Sequence, residues 1–175
     1  MKRFTILLFL LLLSVGSAFA DLTGANATIN YIYPDEGTVL QTLATGNVPL
    51  TGNSFGQHDV TVNPDSITLT NVEGGNVFFL TSSFNGYQVV VNSGGDPITG
   101  VTIAVNNVTG FDASRVTFDA TDVWFNMQDL TTNPGLDIQL DLQFGAGAVP
   151  EPGSLVLLGS GLVGVAGMIR KKLHR

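Results

Sequence analysis

The 175-residue chain carries 7 Lys+Arg against 14 Asp+Glu, and its formal net charge of -7 is unevenly distributed along the sequence. Residues 21–148 contain 13 of the acids and a single base, Arg115, so this middle segment has a charge of -12. Because such a segment offers no basic surface to a phosphate backbone, we exclude nucleic acid as a partner. The chain has no cysteine, which excludes a disulfide framework, a CxxC zinc site and a thiolate nucleophile.

The first 20 residues have the order of a secretory signal peptide. Lys2 and Arg3 form a basic start, residues 4–13 form an apolar run too short to span a bilayer comfortably, and Ala18-Phe19-Ala20 forms a small-residue cleavage site. We therefore predict export through the Sec translocon and cleavage by signal peptidase after Ala20, with Ala18 and Ala20 as the recognised residues. The alternative is an uncleaved N-terminal anchor.

The C-terminal segment, residues 150–175, has three parts. Pro150-Glu151-Pro152 should be extended and exposed, because proline fixes the backbone and removes amide donors. Next come 17 uncharged residues, 153–169, which as a helix reach about 25 Å, the lower end of what a hydrocarbon core requires. We predict a transmembrane helix over residues 154–169. The basic cluster that follows should stay cytoplasmic and leave the middle segment on the far side of the membrane; it comprises Arg170, Lys171, Lys172 and Arg175.

These three parts, in this order at the end of the chain, resemble a PEP-CTERM sorting signal, and the resemblance covers residues 149–175. It implies that an exosortase recognises Pro150, Glu151 and Pro152. Exosortases are membrane-embedded proteases or transpeptidases of Gram-negative bacteria that make exopolysaccharide. The resemblance further implies a transient inner-membrane anchor with Arg170–Arg175 as the basic stop, then removal of the tail. The body would be released or attached at the cell surface or in the extracellular biofilm matrix. The alternative is an ordinary single-pass anchor.

Between the two ends, residues 21–144 show the period-two alternation of apolar and polar residues that is typical of β-strands with one face in a core. Residues 136–144 alternate without a break, and residues 145–149 predict a short flexible linker. Clusters of Gly, Pro, Asn and Asp separate the runs and predict chain reversals. The predicted strands lie within residues 27–33, 60–62, 67–69, 77–80, 87–91, 101–105, 116–118, 123–127 and 136–144.

This pattern predicts an all-β fold, an antiparallel β-sandwich with a jelly-roll or barrel-like arrangement as the alternative. Residues 42–57 contain three glycines and a proline and are the least regular part of the body. For them we predict a long loop or an irregular sheet edge.

Acidic residues are the only potential ligand side chains that are numerous enough to suggest a bound cofactor. We expect none, and the alternative is Ca²⁺, which takes oxygen ligands from carboxylates and carbonyls. No spacing matches an EF-hand or a calcium-binding repeat, and solubility is the simpler explanation. The candidate acids are Asp35, Glu36, Asp112, Asp119, Asp122, Asp129, Asp137 and Asp141.

Enzymatic residues are not evident. His58 precedes Asp59, but no Gly-x-Ser-x-Gly elbow accompanies them, so we predict an exposed loop histidine and a non-enzymatic body. The main hypothesis is an exported surface or matrix protein. The alternative is a module that binds carbohydrate, such as exopolysaccharide, through an aromatic platform of Trp124 with tyrosines 31, 33 and 87. Against it, Trp124 could cover a second apolar face or a barrel end. A secreted hydrolase is the third hypothesis.

Overall fold

Alternating apolar side chains build two facing antiparallel sheets in the computed structural model, which describes residues 20–135 and 137–145. Among these residues there is no α-helix, and a 3-10 helix covers Ala113–Arg115. The strands are β1 (Asn26–Ile32), β2 (Val39–Asn47), β3 (Leu50–Ser54), β4 (His58–Val62), β5 (Ser66–Asn71), β6 (Val77–Phe78), β7 (Gly86–Ser93), β8 (Ile98–Asn106), β9 (Val116–Phe118), β10 (Asp122–Asn126), β11 (Thr131–Thr132) and β12 (Asp137–Phe144).

The strands form two five-stranded sheets. Sheet I has the order β2-β1-β7-β10-β9 and sheet II the order β3-β4-β5-β12-β8, while β11 and β6 form a separate two-stranded ladder. The two large sheets stay open, with β2 and β9 at the edges of one and β3 and β8 at the edges of the other. The predicted β-sandwich is therefore confirmed, and the strand order is not that of a closed barrel.

The core lies between the two sheets, and each sheet contributes every second residue. In sheet I, Ile29 of β1 and Val123 of β10 are fully buried. In sheet II, Leu69 of β5 and Leu140 of β12 are only 1% exposed. The period-two pattern of the sequence thus marks the faces that pack, because a pleated strand turns successive side chains to opposite sides.

Residues 42–57 depart from part of the prediction. They form no long loop: β2 continues to Asn47, a corner at Val48-Pro49 follows, and β3 starts at Leu50. Both strands lie at sheet edges, as the alternative of an irregular edge anticipated. β2 has two register irregularities against β1, and its side chains are largely exposed, so it lacks the apolar alternation that predicts a buried strand.

Both ends of the described chain lie at one end of the sandwich. The Asp96 N–H donates to the Asp21 carbonyl at 3.3 Å, and the Gly145 N–H donates to the Pro97 carbonyl at 2.9 Å. The opposite end, called the loop end, holds the connections of residues 33–38, 55–57, 72–85, 107–115 and 127–135, which include β6 and β11. The chain therefore enters and leaves the body beside the same turn.

The predicted signal peptide, apart from Ala20, and the predicted transmembrane helix at 154–169 lie outside the described residues. Within residues 20–135 and 137–145, the structure contains no helix that could span a bilayer.

Candidate functional site

Trp124 lies on the outer face of sheet I. Its neighbours on β10, Val123 and Phe125, are buried in the core, and the strand alternation turns Trp124 to the other side, where it is half-buried. On the adjacent strands, Gln88 of β7 and Thr117 of β9 stand opposite it. Both cross-strand neighbours of Trp124 are therefore polar.

A chain of side-chain hydrogen bonds crosses sheet I beside Trp124. Thr42 Oγ1 donates to Asn30 Oδ1 at 2.9 Å, and Asn30 Nδ2 donates to Gln88 Oε1 at 3.2 Å. Gln88 Nε2 then donates to Asp122 Oδ1 at 2.8 Å, and Thr121 Oγ1 donates to the other carboxylate oxygen at 2.7 Å. Each bond fixes the orientation of the next amide, so the surface around Trp124 is a fixed array of polar groups.

A cleft of about 380 Å³ adjoins this surface at the loop end. Thr117, which stands opposite Trp124, and Asn126, two residues along the same face of β10, both line it. Glu36 and Phe84 contribute from two turns of the loop end. Its volume falls in the range of small-molecule sites, and its lining is mostly polar.

Arg115, the only base of residues 21–148, also lines the cleft. Its Nε donates to the Gly110 carbonyl at 2.8 Å, and its Nη1 donates to the carbonyls of Asn126 at 3.3 Å and Gln128 at 3.0 Å. Three backbone acceptors hold the guanidinium in place, and they leave its Nη2 without a hydrogen-bond partner among the described residues. A fixed positive group with a free donor therefore borders the cleft.

Two amide side chains complete the cleft. Asn126 Oδ1 accepts from the N–H groups of Asn85 at 3.2 Å and Gln128 at 3.0 Å, so the side chain cannot rotate freely and its Nδ2 remains as a donor. Gln128 Oε1 is buried and has no hydrogen-bond partner in the described structure. The cleft thus offers fixed donors.

His58 is not the exposed loop residue that the sequence predicted. It begins β4, is 1% exposed, and its Nε2 lies 2.9 Å from Thr132 Oγ1. Burial lowers the pKa of His58 to about 4. Asp59 turns to the other face of β4 and accepts from Asn53 Nδ2 at 2.6 Å, so the two side chains do not form a catalytic pair.

Tyr31 and Tyr87 do not join Trp124 in one platform. Tyr87 is fully buried, and its ring lies 5.4 Å from that of Tyr31 and 5.2 Å from that of Phe125. Burial raises the pKa of Tyr87 and that of Tyr31. Tyr31 and Tyr87 occupy inward positions of β1 and β7, which the sequence could not distinguish from outward ones without knowing the strand pairing.

The acids proposed as calcium ligands are mostly engaged in their own turns. Asp35 accepts from the Gly37 N–H at 3.0 Å, a local turn contact. Hydrogen bonds from the Ser114 hydroxyl and N–H hold the pKa of Asp112 below its usual range, and the N–H groups of Thr121 and Asp122 do the same for Asp119. Within the part of the chain that the structure describes, no three His or acidic residues come together as metal ligands.

The predicted sorting residues, namely Pro150, Glu151, Pro152, Arg170, Lys171, Lys172 and Arg175, lie outside the described residues, as does Ala18. No curated protein and no solved structure matches the chain. Residues 148–171 match the PEP-CTERM protein-sorting motif. This match agrees with the resemblance seen in the sequence and supports an exported protein that an exosortase sorts.

Proposed function

We propose that this chain is a non-enzymatic protein of the cell surface or extracellular matrix, processed at both of its ends. The observation that carries the proposal is the PEP-CTERM motif at residues 148–171, which follows directly after the last strand of the β-sandwich. Signal peptidase would act after Ala20 and an exosortase near Pro150-Glu151-Pro152. The body would act by its surface and not by catalysis.

The measurement that tests this is the intact mass of the protein recovered from its native host. We expect a chain that starts at Asp21 and ends near Pro150-Glu151-Pro152. Replacing both motif prolines, Pro150→Ala with Pro152→Ala, should leave the tail in place, whereas the control Pro134→Ala, in a turn of the body, should not. A wild-type chain that still ends at Arg175 would exclude the sorting proposal.

Carbohydrate binding is the second candidate function, and the site around Trp124 favours it. A half-buried indole set among fixed amide, hydroxyl and carboxylate groups can cover the apolar C–H face of a sugar ring while its neighbours bind the hydroxyls. The adjoining cleft adds Arg115, Asn126 and Glu36 within the same end of sheet I. A polyhydroxylated ligand fits a lining of this polarity better than an apolar ligand does.

The charge of the body selects the class of glycan. Residues 21–148 carry -12, so an acidic polysaccharide would be repelled over the whole surface. The cleft is lined by one guanidinium, that of Arg115, and by one carboxylate, that of Glu36, and such a pair of opposite charges suits hydroxyl groups that both accept and donate. We infer that the ligand is a neutral glycan.

Binding assays on immobilised polysaccharides test this candidate. The body should be retained by at least one neutral glucan, mannan or galactan and not by polygalacturonate. Trp124→Ala should abolish retention, while Phe78→Ala, which removes an aromatic side chain 56% exposed on β6, should have no effect. Equal retention of the two variants would rule out the Trp124 site.

The cleft has its own matched pair of variants. The body contains two glutamates, Glu36 and Glu73, and both are exposed, but only Glu36 lines the cleft. Glu36→Gln should weaken neutral-glycan binding several-fold through the loss of a charge-assisted hydrogen bond, and Glu73→Gln should not. If neither substitution changes the affinity but Trp124→Ala does, the glycan lies on the sheet face and outside the cleft.

A further inference from the structure

The turn between β7 and β8, residues 94–97, holds both ends of the body. The Asp96 N–H donates to the Asp21 carbonyl at 3.3 Å, and in return the Asp21 N–H donates to Asp96 Oδ2 at 3.2 Å. The Gly145 N–H donates to the Pro97 carbonyl at 2.9 Å. Asp21 is also the residue that signal-peptide cleavage after Ala20 would leave first in the chain.

We propose that removal of the signal peptide completes the fold by forming an ion pair between the new N-terminus and Asp96. This inference rests on the predicted cleavage site and is independent of what the body binds. Hydrolysis of the Ala20–Asp21 peptide bond consumes one water, leaves a carboxylate on Ala20 and an amine on Asp21, and this amine is protonated at neutral pH. The Asp21 nitrogen, which donated to Asp96 as a neutral amide, then donates to it as an ammonium group.

The position of the new terminus is fixed by the residue that follows it. Leu22 is fully buried, and its N–H donates to the Pro64 carbonyl at 2.8 Å. Gly95 of the holding turn packs so closely on Leu22 that an added Cβ would lie 2.7 Å from its Cδ2. Since Leu22 is anchored on both sides, the ammonium group reaches Asp96 without further ordering of the chain, which lowers the entropic cost of the pair.

The Asp21 side chain does not compete with Asp96 for the new amine. Its Oδ1 accepts from the Thr23 N–H at 2.8 Å and its Oδ2 from the Thr23 hydroxyl at 3.0 Å. Asp96 is half-buried, so its charge is screened less than that of an exposed carboxylate. The acceptor is thus oriented towards the new terminus and partly shielded from water.

The charged groups around the new terminus are all acidic. They are the carboxylates of Asp21 and Asp96 and, on the turn that contacts Leu22, that of Asp65. Arg115, the one base among the described residues, binds carbonyls of the loop end. An α-amino group loses its proton above its ordinary range of about 7.7–8.0, so the stability that the ion pair contributes is present at neutral pH and lost at alkaline pH.

A double-mutant cycle on the body tests the proposal. Two versions of residues 21–147, which belong to one compact unit, are released from a cleavable fusion, one starting at Asp21 and one retaining Ala20. The version that starts at Asp21 should melt about 3 °C higher at pH 7. Asp96→Asn should remove this difference. An asparagine oxygen still accepts a hydrogen bond from the amide of the extended version, but it carries no charge and cannot form an ion pair with an ammonium group.

Asp65→Asn is the matched control, since it removes a neighbouring carboxylate that makes no contact with the Asp21 nitrogen. Asp65→Asn should preserve most of the difference in melting temperature between the two versions. If Asp65→Asn and Asp96→Asn reduce this difference equally, the effect is general electrostatics and the ion-pair proposal is wrong. Raising the pH to 10 should also remove the difference in the wild-type pair. Identical melting of the two wild-type versions at pH 7 would overturn the proposal as well.

Discussion

His58 is a titratable ring within the core, 2.9 Å from the Thr132 hydroxyl and 5.2 Å from the ring of Phe79. Its pKa of about 4 follows from burial, because the charged imidazolium would lose its hydration. An unfolded chain returns the ring to a pKa of about 6.5. Folding therefore opposes protonation of this residue.

We predict that the free energy of unfolding falls as the pH is lowered from about 6.5 to about 4. In this window the unfolded chain binds a proton at His58 that the folded chain does not, at a cost of up to about 1.4 kcal/mol per pH unit. Urea unfolding at pH 7.0 and 4.5 measures the loss. The neutral variant His58→Gln should show a flatter dependence, and the same slope in both proteins would contradict the assignment.

Gly86 is a second position where one residue governs packing. It begins β7 opposite Asn126 of β10, and an added Cβ would collide with the Phe125 carbonyl oxygen and lie 3.1 Å from the Asn126 Cα. These neighbours are backbone atoms, so they cannot move aside without breaking the pairing of the two strands.

Gly86→Ala should therefore destabilise the body by about 2 kcal/mol or more, in the range of overpacked cores. Thermal melting measures the effect. Gly74→Ala is the matched control, because nothing lies within 4 Å of the position that its added methyl group would take, and the substitution should be close to neutral. Similar losses for the two variants would show that the close approach at Gly86 does not control stability.

At the level of elements, β12 holds sheet II together. It is the last strand in the sequence but lies between β5 and β8, and it pairs with both. Its residues Ile138 and Leu140 face the core and are 1% exposed. The edge strand β2 differs, since its Leu40 is 53% exposed.

Two leucine-to-alanine substitutions compare these positions directly. Leu140→Ala should cost about 2–5 kcal/mol because it removes a buried side chain and leaves a cavity. Leu40→Ala should cost less than about 0.5 kcal/mol, as expected for an exposed position. Chemical denaturation of both variants measures the difference, and comparable costs would contradict the placement of β12 in the core.

At the level of the whole molecule, charge is the dominant feature. The 13 acids of residues 21–148 face one base, and this imbalance destabilises the compact state through self-repulsion. Salt screens such repulsion over about 10 Å at 0.1 M ionic strength.

We predict that the melting temperature of the body rises by a few degrees between 10 mM and 0.5 M NaCl, since screening relieves the repulsion. NaCl and KCl should act equally. A rise that instead requires millimolar CaCl₂, and that chelation reverses, would point to a calcium site among the acids. A melting temperature that falls with salt would contradict the repulsion argument.

Much of the architecture could be predicted from the sequence. The alternation in residues 136–144 predicts a strand and its buried face, and β12 confirms it, because strand periodicity is a local property of the chain. The edge strands β2 and β3 were predicted only as a long loop or an irregular sheet edge, since exposed strands need no apolar alternation. The sequence also did not predict that His58 is buried, because its partner Thr132 is 74 residues away in the sequence.

The sorting motif was visible in the sequence because it is a linear segment that a membrane enzyme can read residue by residue, and the match at 148–171 agrees with it. Only the tertiary structure decided which polar groups surround Trp124, since the register of β7, β9 and β10 places Gln88 and Thr117 beside it. It also decided that Asp21 meets Asp96, 75 residues away. Contacts of this kind depend on strand pairing over long separations, and no local pattern in the chain encodes them.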